Sequence, residues 1–493
     1  MPDASFDIVI VGTDIGGLAL GAQCARQGYT VLLIGHDGKP NQYTLDKHPM
    51  LRELPLLYGF SSSPVIRSLF RDIGLIAEMR NKPIPFTPPI QVVTPGHRYD
   101  ISLDADQTQA ELRREFGDDG RNIERFWRSA TGLNNELGEA LGDLPLLPQT
   151  GFIKKRQFAK KFEGQEVYRE AQERLAFPGH LKFSAPMSAI LLGMTNLQSA
   201  PLSPVSVRRL MQHFAHGLFD FPGGIDGFKR MLVDRILNNS GQYWADRRLE
   251  SISIRRNRVK ELTVQRPHRT LQARVLICNT SPRNFFGLIP SEQQHQNFHG
   301  QLKALQPAYY KYVVNFVVPR RIIPQPMGRH VMVVPYPKQE LVGANGIWVA
   351  VSHLPEDPEG AAVLTVQARL PYRGLPTDVA GFDRLNGEIQ HSLEWLLPFL
   401  RENLIAVDTP YVTKNPDTGE DRPDPTAHLE IYDEGFPGTL DLSPIPGKTA
   451  YKNILLLGSH YLSGLGLEGQ FLGAQQAFKW IRKNIVLKQI LRK

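Results

Sequence analysis

The sequence predicts an α/β fold with a parallel sheet, and three separated stretches of the 493-residue chain predict it. From Asp7 to Asp37 the chain shows an apolar strand, a glycine-bearing turn, a helix and a second apolar strand. Residues 222–298 and 446–493 each add apolar strand and helix patterns of the same kind. Short continuous runs of β-branched residues, such as Ile8 to Val11, are typical of strands buried on both faces of a sheet.

The turn between the first strand and the first helix is a candidate dinucleotide site. A β-α-β unit of this kind commonly carries G-x-G-x-x-G, and its backbone N–H groups meet a pyrophosphate at the helix N-terminus. Here an aspartate replaces the middle glycine, whereas the first and last glycines are kept. The candidate cofactor-binding residues of this turn are Gly12, Asp14, Ile15, Gly16 and Gly17.

The end of the second strand also departs from the usual pattern. An acid normally stands there and binds the ribose hydroxyls, but this chain has Gly35. His36 and Lys39 follow and are further candidates for cofactor contacts. The pattern therefore predicts the fold more strongly than it predicts an intact phosphate site.

The next part of the chain is expected to be mainly helical, after an extended crossing segment at 38–60. The predicted elements are helices at 63–75, 108–116 and 120–141, a hairpin at 90–101 and further helices within 145–222. His213 and His216 lie three residues apart in the last of these, a spacing that can bind a metal. Because no acid or third ligand accompanies them, we expect packed histidines and no metal site.

The remainder is expected to be largely β before it returns to the first sheet. The predicted elements are strands at 309–318, 331–334, 347–352 and 362–368, a helix at 378–403, and a buried strand at 454–457. A glycine-rich junction and a long helix complete the chain. The candidate cofactor-binding residues of this junction are Gly458, Ser459, Gly466 and Leu467.

Composition and charge limit the classes of protein to which the chain can belong. A hydrophobic content of 41% and a charged content of 22% are ordinary for a soluble globular protein. The net charge of +8 fits a solvated basic surface or a face that meets anionic lipid, and no nucleic-acid-binding motif accompanies it. Two cysteines in apolar surroundings predict no disulfide framework and fit the cytoplasm. The first residues predict no signal peptide, and no apolar run predicts a membrane span.

The C-terminal helix ends in KWIRKNIVLKQILRK, which combines an apolar side with many cations. A basic amphipathic helix of this type suits a membrane surface, and the alternative is a terminal helix packed on its own domain. We therefore expect a cytoplasmic protein, with a peripheral position on the inner face of a membrane as the second option. The sequence predicts no oligomeric state.

Four ordered stretches resemble the phytoene desaturase and carotenoid isomerase group of flavoproteins, within the amine-oxidase-like superfamily. They are IVIVGTDIGGLALGAQCARQGYTVLLI, FPGGIDGFKRMLVDRI, VLICNTSP and NILLLGSHYLSGLGLEGQFLGAQQAF. Their order and spacing extend the resemblance over essentially the whole chain. It implies a discontinuous Rossmann-like FAD/NAD(P)-binding domain at 1–85, 222–298 and 446–493, and an α+β substrate domain at 86–221 and 299–445.

The resemblance also implies a chemistry. FAD would be the cofactor, an apolar polyisoprenoid or other lipid would be the substrate, and hydride would pass to the flavin. No catalytic residue stands out in the sequence.

The altered positions affect the expected cofactor site in two alternative ways. Asp14 could cap the first helix and take the place of the phosphate, or it could point away while Lys39 or His36 compensates for its charge.

Three functions follow from these alternatives. The first is an FAD-dependent oxidoreductase of the desaturase or isomerase type. The second is a cofactor-free pseudoenzyme of the same fold that binds a lipid or a protein partner. The third is an enzyme with a displaced or different dinucleotide, although the chain contains no second G-x-G-x-x-G unit.

Overall fold

The structure is a computed structural model that describes residues 3–36, 38–132, 134–149, 151–173, 175–197, 202–265, 268–354, 357–427, 429–433 and 442–486. The strands are β1 (Ala4–Val11), β2 (Val31–Ile34), β3 (Gln42–Leu45), β4 (His48–Leu51), β5 (Leu57–Tyr58), β6 (Ile84–Pro85), β7 (Ile90–Thr94), β8 (His97–Ile101), β9 (Leu218–Asp220), β10 (Gln242–Trp244), β11 (Leu249–Arg255), β12 (Arg258–Val264), β13 (Arg269–Cys278), β14 (Pro307–Pro319), β15 (His330–Val333), β16 (Ile347–Leu354), β17 (Asp357–Pro371), β18 (Ala406–Asp408), β19 (Val412–Lys414), β20 (Asp421–Pro423), β21 (Leu429–Tyr432) and β22 (Ile454–Leu456).

The helices are α1 (Ile15–Arg26), α2 (Pro64–Ile73), α3 (Ile76–Asn81), α4 (Ala105–Phe116), α5 (Gly120–Thr131), α6 (Asn135–Gly142), α7 (Phe152–Phe158), α8 (Glu166–Gln172), α9 (Leu181–Met194), α10 (Pro204–Ala215), α11 (Gly224–Leu237), α12 (Pro282–Gly287), α13 (Gln296–Ala304), α14 (Val379–Glu394) and α15 (Gly466–Asn484). A π-helical turn, Ala159–Glu163, continues α7.

The first sheet is assembled from three distant parts of the chain, as the sequence predicts. Its strand order is β10-β2-β1-β13-β12-β11, and β22 also pairs with β13. The strands β10, β2, β1, β13 and β22 are parallel, whereas β11 and β12 continue the sheet antiparallel. The side chains from Ile8 to Val11 are fully buried, because helices cover both faces of a parallel sheet. This arrangement confirms the predicted Rossmann-like α/β fold.

The second sheet carries the predicted β region. Its strand order is β18-β14-β17-β16-β15-β7-β8, and β21 also pairs with β14. Its pairs are antiparallel except for β15 with β7, which are parallel. The helix α14 packs Phe382 and Ile389 into the core beside Tyr312 of β14. The domain limits at 85/86, 221/222, 298/299 and 445/446 stay a prediction.

Three predicted elements differ from the structure, the first being the helix predicted at 378–403, which ends at Glu394. The other two differ for local reasons. The crossing segment contains the β3–β4 hairpin, because Asp46 and Lys47 adopt the positive φ angles that a tight hairpin turn needs. The single helix predicted at 120–141 is two helices. Gly132 leaves the helical conformation after α5, and the Asn134 side chain accepts a hydrogen bond from the N–H of Leu137 and begins α6.

The helix α15 packs on its own domain as far as the structure describes it. Ile481 and Ile485 are buried, and the Ile485 carbonyl accepts a hydrogen bond from the Tyr29 hydroxyl. The rest of the predicted amphipathic tail, 487–493, lies outside the described residues. Within the described ranges, no helix is both long enough and apolar enough to cross a membrane.

Candidate functional site

The predicted cofactor-binding residues from both chain ends meet at the carboxyl edge of the first sheet. There β1, β13 and β22 end side by side, and α1 and α15 begin. Gly12 leaves β1 with φ +104°, and a Cβ at this position would overlap the backbone carbonyl of Asn279. This glycine is therefore needed for the close approach of β1 to the end of β13. In relatives of this fold the same edge is the ligand-binding edge.

Asn279, directly after β13, fills the start of α1. Its Oδ1 accepts a hydrogen bond of 2.9 Å from the N–H of Gly17. Its Nδ2 donates to the carbonyl oxygens of Gly12, at 3.1 Å, and Asp14, at 2.8 Å. The side chain is fully buried and uses both of its polar atoms on the turn. A donor that a pyrophosphate would use at this helix N-terminus is thus already bonded to protein.

Gln470, from the second turn of α15, occupies the neighbouring donor. Its Oε1 accepts a hydrogen bond of 3.2 Å from the N–H of Gly16. A Cβ on Gly16 would lie 3.1 Å from the carbonyl oxygen of Gln470 and 3.3 Å from the N atom of Gly458. The two helices and the end of β22 therefore pack directly against one another where a dinucleotide would pass.

Asp14 holds the two chain ends together. Its Oδ2 accepts hydrogen bonds from the N–H of Ser459, at 2.9 Å, and from the Ser459 hydroxyl, at 2.8 Å. Asp14 stands at the N-cap position of α1, yet its side chain makes no capping hydrogen bond. The expectation that its carboxylate caps α1 is therefore wrong, because Ser459 binds that carboxylate instead. Gly458 has φ +84°, and a Cβ there would lie 2.6 Å from Asp14 Oδ2.

The end of β2 is covered by the segment that follows β10. A Cβ on Gly35 would overlap the carbonyl oxygen of Ala245, so no acid can stand at this position without moving the backbone. The N–H of His36 donates to the Arg247 carbonyl at 2.9 Å, and its Nδ1 accepts from the N–H of Leu249 at 3.2 Å. This segment thus covers the place where a ribose would bind.

Lys39 lies near this edge but pairs with the residue that follows β20. Its Nζ is 3.0 Å from Oδ2 of Asp424, with which it forms an ion pair. The expectation that Lys39 or His36 compensates for the charge of Asp14 does not match these contacts. Both residues are engaged by other parts of the chain, and Ser459 is the hydrogen-bond donor to Asp14.

The start of α15 is closed by Tyr58. Its hydroxyl accepts a hydrogen bond of 2.7 Å from the N–H of Leu467 and donates one of 2.8 Å to the Met194 carbonyl. Gly466 has φ +55°, and a Cβ there would overlap both the Tyr58 hydroxyl and the Met194 carbonyl oxygen. Burial raises the pKa of Tyr58, which therefore stays protonated and keeps its donor. One donor of this helix N-terminus is thus satisfied by a protein side chain.

Sequence reasoning missed a buried polar cluster in the first turn of α15. Glu468 is fully buried, and its Oε2 lies 2.9 Å from Nε of Arg209 and 2.9 Å from Nε2 of His213. Its Oε1 accepts hydrogen bonds of 2.5 Å from Arg209 Nη2 and from the Ser63 hydroxyl. The Ser62 hydroxyl lies 2.7 Å from Nδ1 of His213. These residues come from α10, α15 and the turn before α2, so no local spacing in the sequence predicts the cluster.

The cluster has a defined charge state. Burial acts to raise the pKa of Glu468, but Arg209 and His213 outweigh burial and hold it well below its usual range. Burial lowers the pKa of His213, against the attraction of Glu468. Glu468 is thus an anion paired with Arg209, and His213 lies in contact with the same carboxylate. His213 is a packed histidine, as predicted, and among the described residues no group of side chains could hold a metal ion.

The residues at this edge do not fit FAD. Its pyrophosphate would need the N–H groups of Gly16 and Gly17, its ribose would need room beside Gly35, and both are taken by protein groups. Two cavities, of about 930 and 680 Å³, lie elsewhere, the first between α2, α3, α6 and α15 and the second beside β7, β8 and α4. None of the predicted cofactor-binding residues lines either cavity.

The fold is similar to solved oxidoreductases along nearly its whole length. An oxidoreductase from Methanosarcina mazei matches with a TM-score of 0.60 and 12% identity, over 96% of this chain and 99% of that one. A putrescine oxidase with putrescine bound matches with a TM-score of 0.54 and 14% identity, over 97% and 99%. Cyclohexylamine oxidase from Brevibacterium oxydans matches with a TM-score of 0.52 and 15% identity, over 97% and 99%.

No family model matches the chain, and no curated protein matches its sequence. The structural likeness shows that the chain shares the fold of these oxidoreductases. It agrees with the predicted Rossmann-like α/β fold. Likeness to phytoene desaturases in specificity stays a prediction, and so does the role of each predicted cofactor-binding residue.

Proposed function

We propose that this chain is a cofactor-free relative of the flavin oxidoreductases, which keeps their fold and acts by binding a lipid or protein partner. One observation carries the proposal. The two N–H groups at the start of α1 that face the dinucleotide edge donate to Asn279 and Gln470, two side chains of the chain itself. Displacing them would cost hydrogen bonds that are worth about 1 kcal/mol each.

The charge of Asp14 supports the same proposal. A unit charge about 4 Å from another interacts by about 4 kcal/mol at an effective dielectric constant of about 20. A phosphate at this turn would meet the carboxylate of Asp14, and repulsion of that size weakens binding by about a thousandfold. The hydrogen bonds from Ser459 hold the carboxylate at the end of β22, next to the turn.

The ribose and flavin positions support it independently. The Ala245 carbonyl leaves no room for a side chain at Gly35, and Tyr58 is bonded to the first turn of α15. The first contact lies after β2 and the second lies at the start of α15. A single substitution would therefore not restore the whole site.

A second candidate is a flavin-dependent oxidoreductase acting on an apolar, polyisoprenoid-type substrate. It is favoured by the likeness of nearly the whole chain to proteins named oxidoreductase and oxidase. For this function the contacts of Asp14, Asn279 and Gln470 would have to open before the cofactor enters. The same measurement separates the two candidates.

The deciding measurement is the absorbance spectrum of the full chain purified from cells supplied with riboflavin, followed by calorimetric titration with FAD. We expect no flavin band and no heat of binding. A released flavin band near one per chain would overturn the cofactor-free function and establish the second candidate.

A variant pair tests the structural cause. The double variant Asp14→Gly with Gln470→Ala removes the repelling carboxylate and frees the N–H of Gly16. We expect it to gain measurable FAD affinity. Gln475→Ala, on the same helix, is the matched control, because its side chain donates to the Val65 carbonyl, away from this edge. Equal behaviour of the double variant and the control would show that these contacts do not close the site.

A further inference from the structure

The helix α7 exposes apolar side chains at its first turn. Phe152 is 79% exposed and Ile153 is 71% exposed, more than almost all other large apolar side chains described. They stand side by side at the start of the helix. Large apolar groups exposed together on a protein surface mark a contact site for a partner or a membrane.

The same element is strongly basic. The twelve residues 152–163, which comprise α7 and the π-helical turn, carry five cations and one acid, Glu163. The five cations are Lys154, Lys155, Arg156, Lys160 and Lys161, and all of them are exposed. Within the described part of the chain, none of the five pairs with a carboxylate. Their charge is therefore available to an anionic partner.

The end of α15 lies on the same side of the molecule. The N–H of Lys448 donates to the Leu147 carbonyl at 2.9 Å, just before α7, and Nζ of Lys479 donates to the Gly142 carbonyl at 2.7 Å. Burial lowers the pKa of Lys448, and the charges of Lys154 and Lys483 add to this effect. One cation of α7 and one of α15 therefore lie near the same lysine.

Together these residues define a surface that we call the basic face. It comprises the α7 element 152–163 together with Lys448, Lys479, Arg482 and Lys483. Because α15 starts at the carboxyl edge of the sheet and runs back along it, the basic face lies far from the closed dinucleotide edge.

We propose that the basic face binds an anionic membrane surface, with Phe152 and Ile153 inserted among the lipids and the lysines on the headgroups. The charge complementarity favours this partner, since each lysine or arginine near an anionic leaflet contributes to binding. The adjacent aromatic and aliphatic side chains favour lipid over nucleic acid, because they would stay in water against a phosphate backbone. The inference does not depend on whether FAD binds.

Vesicle sedimentation with the full chain tests the inference. Vesicles of phosphatidylcholine with phosphatidylserine should bind the protein, vesicles of phosphatidylcholine alone should bind it weakly, and added salt should release it. Lys154→Glu with Lys155→Glu should weaken binding by about 30-fold or more, since at least two favourable charges are lost and reversed.

Two further variants separate charge from insertion. Phe152→Ser with Ile153→Ser leaves the net charge unchanged and should weaken binding to anionic vesicles also at raised salt. Arg401→Glu with Lys414→Glu is the matched charge-reversal control, because both side chains are exposed beside the core of the second sheet. We expect this control to bind as the unchanged protein does.

Any of several results would overturn the inference. They are equal binding to neutral and anionic vesicles, absence of binding to both, and equal loss in the control and the α7 variants. Binding of single-stranded RNA in preference to anionic vesicles would also overturn it. The substituted side chains are exposed, so the variants should unfold at the same denaturant concentration as the unchanged protein.

Discussion

At its first turn α15 buries Glu468 against Arg209 and His213, whereas at its last turn it exposes Arg482 and Lys483. The helix is 19 residues, or about 28 Å, long. In water an ion is solvated at little cost, but inside a protein it needs a partner for every charge and donor. The charges of the first turn therefore stabilise the fold, whereas those of the last turn remain available to bind a ligand.

The largest expected effect is at the buried end. Glu468→Gln removes the partner of Arg209 and leaves a buried cation uncompensated, which typically costs about 3–5 kcal/mol. Denaturant unfolding at neutral pH measures the loss in the free energy of unfolding. Glu163→Gln, on the exposed π-helical turn, is the control and should change it by less than about 0.5 kcal/mol. Similar values for the two variants would contradict the difference between the ends.

Lowering the pH should weaken the contacts at the buried end of α15 before those at its exposed end. The pKa of Glu468 is lower in the folded chain than in the unfolded chain. Its contribution is therefore complete above the unfolded pKa, near 4.5, and is lost as the pH falls towards the folded pKa. One such group removes about 1.4 kcal/mol per pH unit in this window.

Unfolding curves measured at several pH values between neutral and acidic conditions would show this slope. In Glu468→Gln the slope below pH 4.5 should be smaller by about one proton. A variant with the same slope as the unchanged protein would place the acid sensitivity in other carboxylates.

At the closed edge, Asp14→Ala should cost about 1.5–3 kcal/mol in the free energy of unfolding, because hydrogen bonds to a charged acceptor are lost. The Ser459 N–H and hydroxyl would lose their acceptor. Asp118→Ala, at an exposed site after α4, is the matched control. If Asp14→Ala is as stable as this control, the Asp14–Ser459 contact does not hold the two chain ends together.

Gly35→Ala tests how tightly the segment after β10 covers the end of β2. The added Cβ would overlap the Ala245 carbonyl, so the segment after β10 must move, at a cost of about 1–3 kcal/mol. Gly300→Ala adds the same group within α13, where no atom lies within 4 Å of it. That control should raise the free energy of unfolding by about 0.5–1 kcal/mol. A neutral Gly35→Ala would mean that the cover is loose enough to admit a ribose.

The smallest effect is expected at the exposed end. Lys483→Ala should change the free energy of unfolding by less than about 0.5 kcal/mol, because a solvated cation contributes little to stability. Thermal and denaturant unfolding measure it. A loss as large as that of Glu468→Gln would show that the last turn of α15 is structural, and would remove the contrast between the two ends.

Much of the fold was predictable because it depends on local patterns. The apolar run from Ile8 to Val11 indicates a buried strand, and β1 has the predicted position. The segment at 309–318 and the helix at 63–75 likewise appear as β14 and α2, with Gly74 in the left-handed conformation at the helix end. Periodicity and turn residues act over a few positions, so one sequence contains their signal.

The candidate site was predictable only in part. The sequence located the altered turn, and the structure brings Asp14 to Ser459, which lies 445 residues further along the chain. The contacts of Gln470 and Asn279 with the same turn could not be foreseen. Both residues lie in stretches that the sequence singled out, but nothing local indicates their partners, because each side chain reaches the turn from a distant part of the chain.

By itself the sequence determined the α/β class, the parallel strands of the first sheet, and the loss of the glycine and the acid from the dinucleotide fingerprint. Only the tertiary structure decided what took their place: the Asp14–Ser459 contact, the side chains on the first turn of α1, and the Glu468 cluster. The physical reason is the distance along the sequence between the residues that interact. Strand and helix patterns are encoded by neighbours in sequence, whereas a buried hydrogen bond or ion pair is satisfied by whichever distant group the packed fold brings within reach.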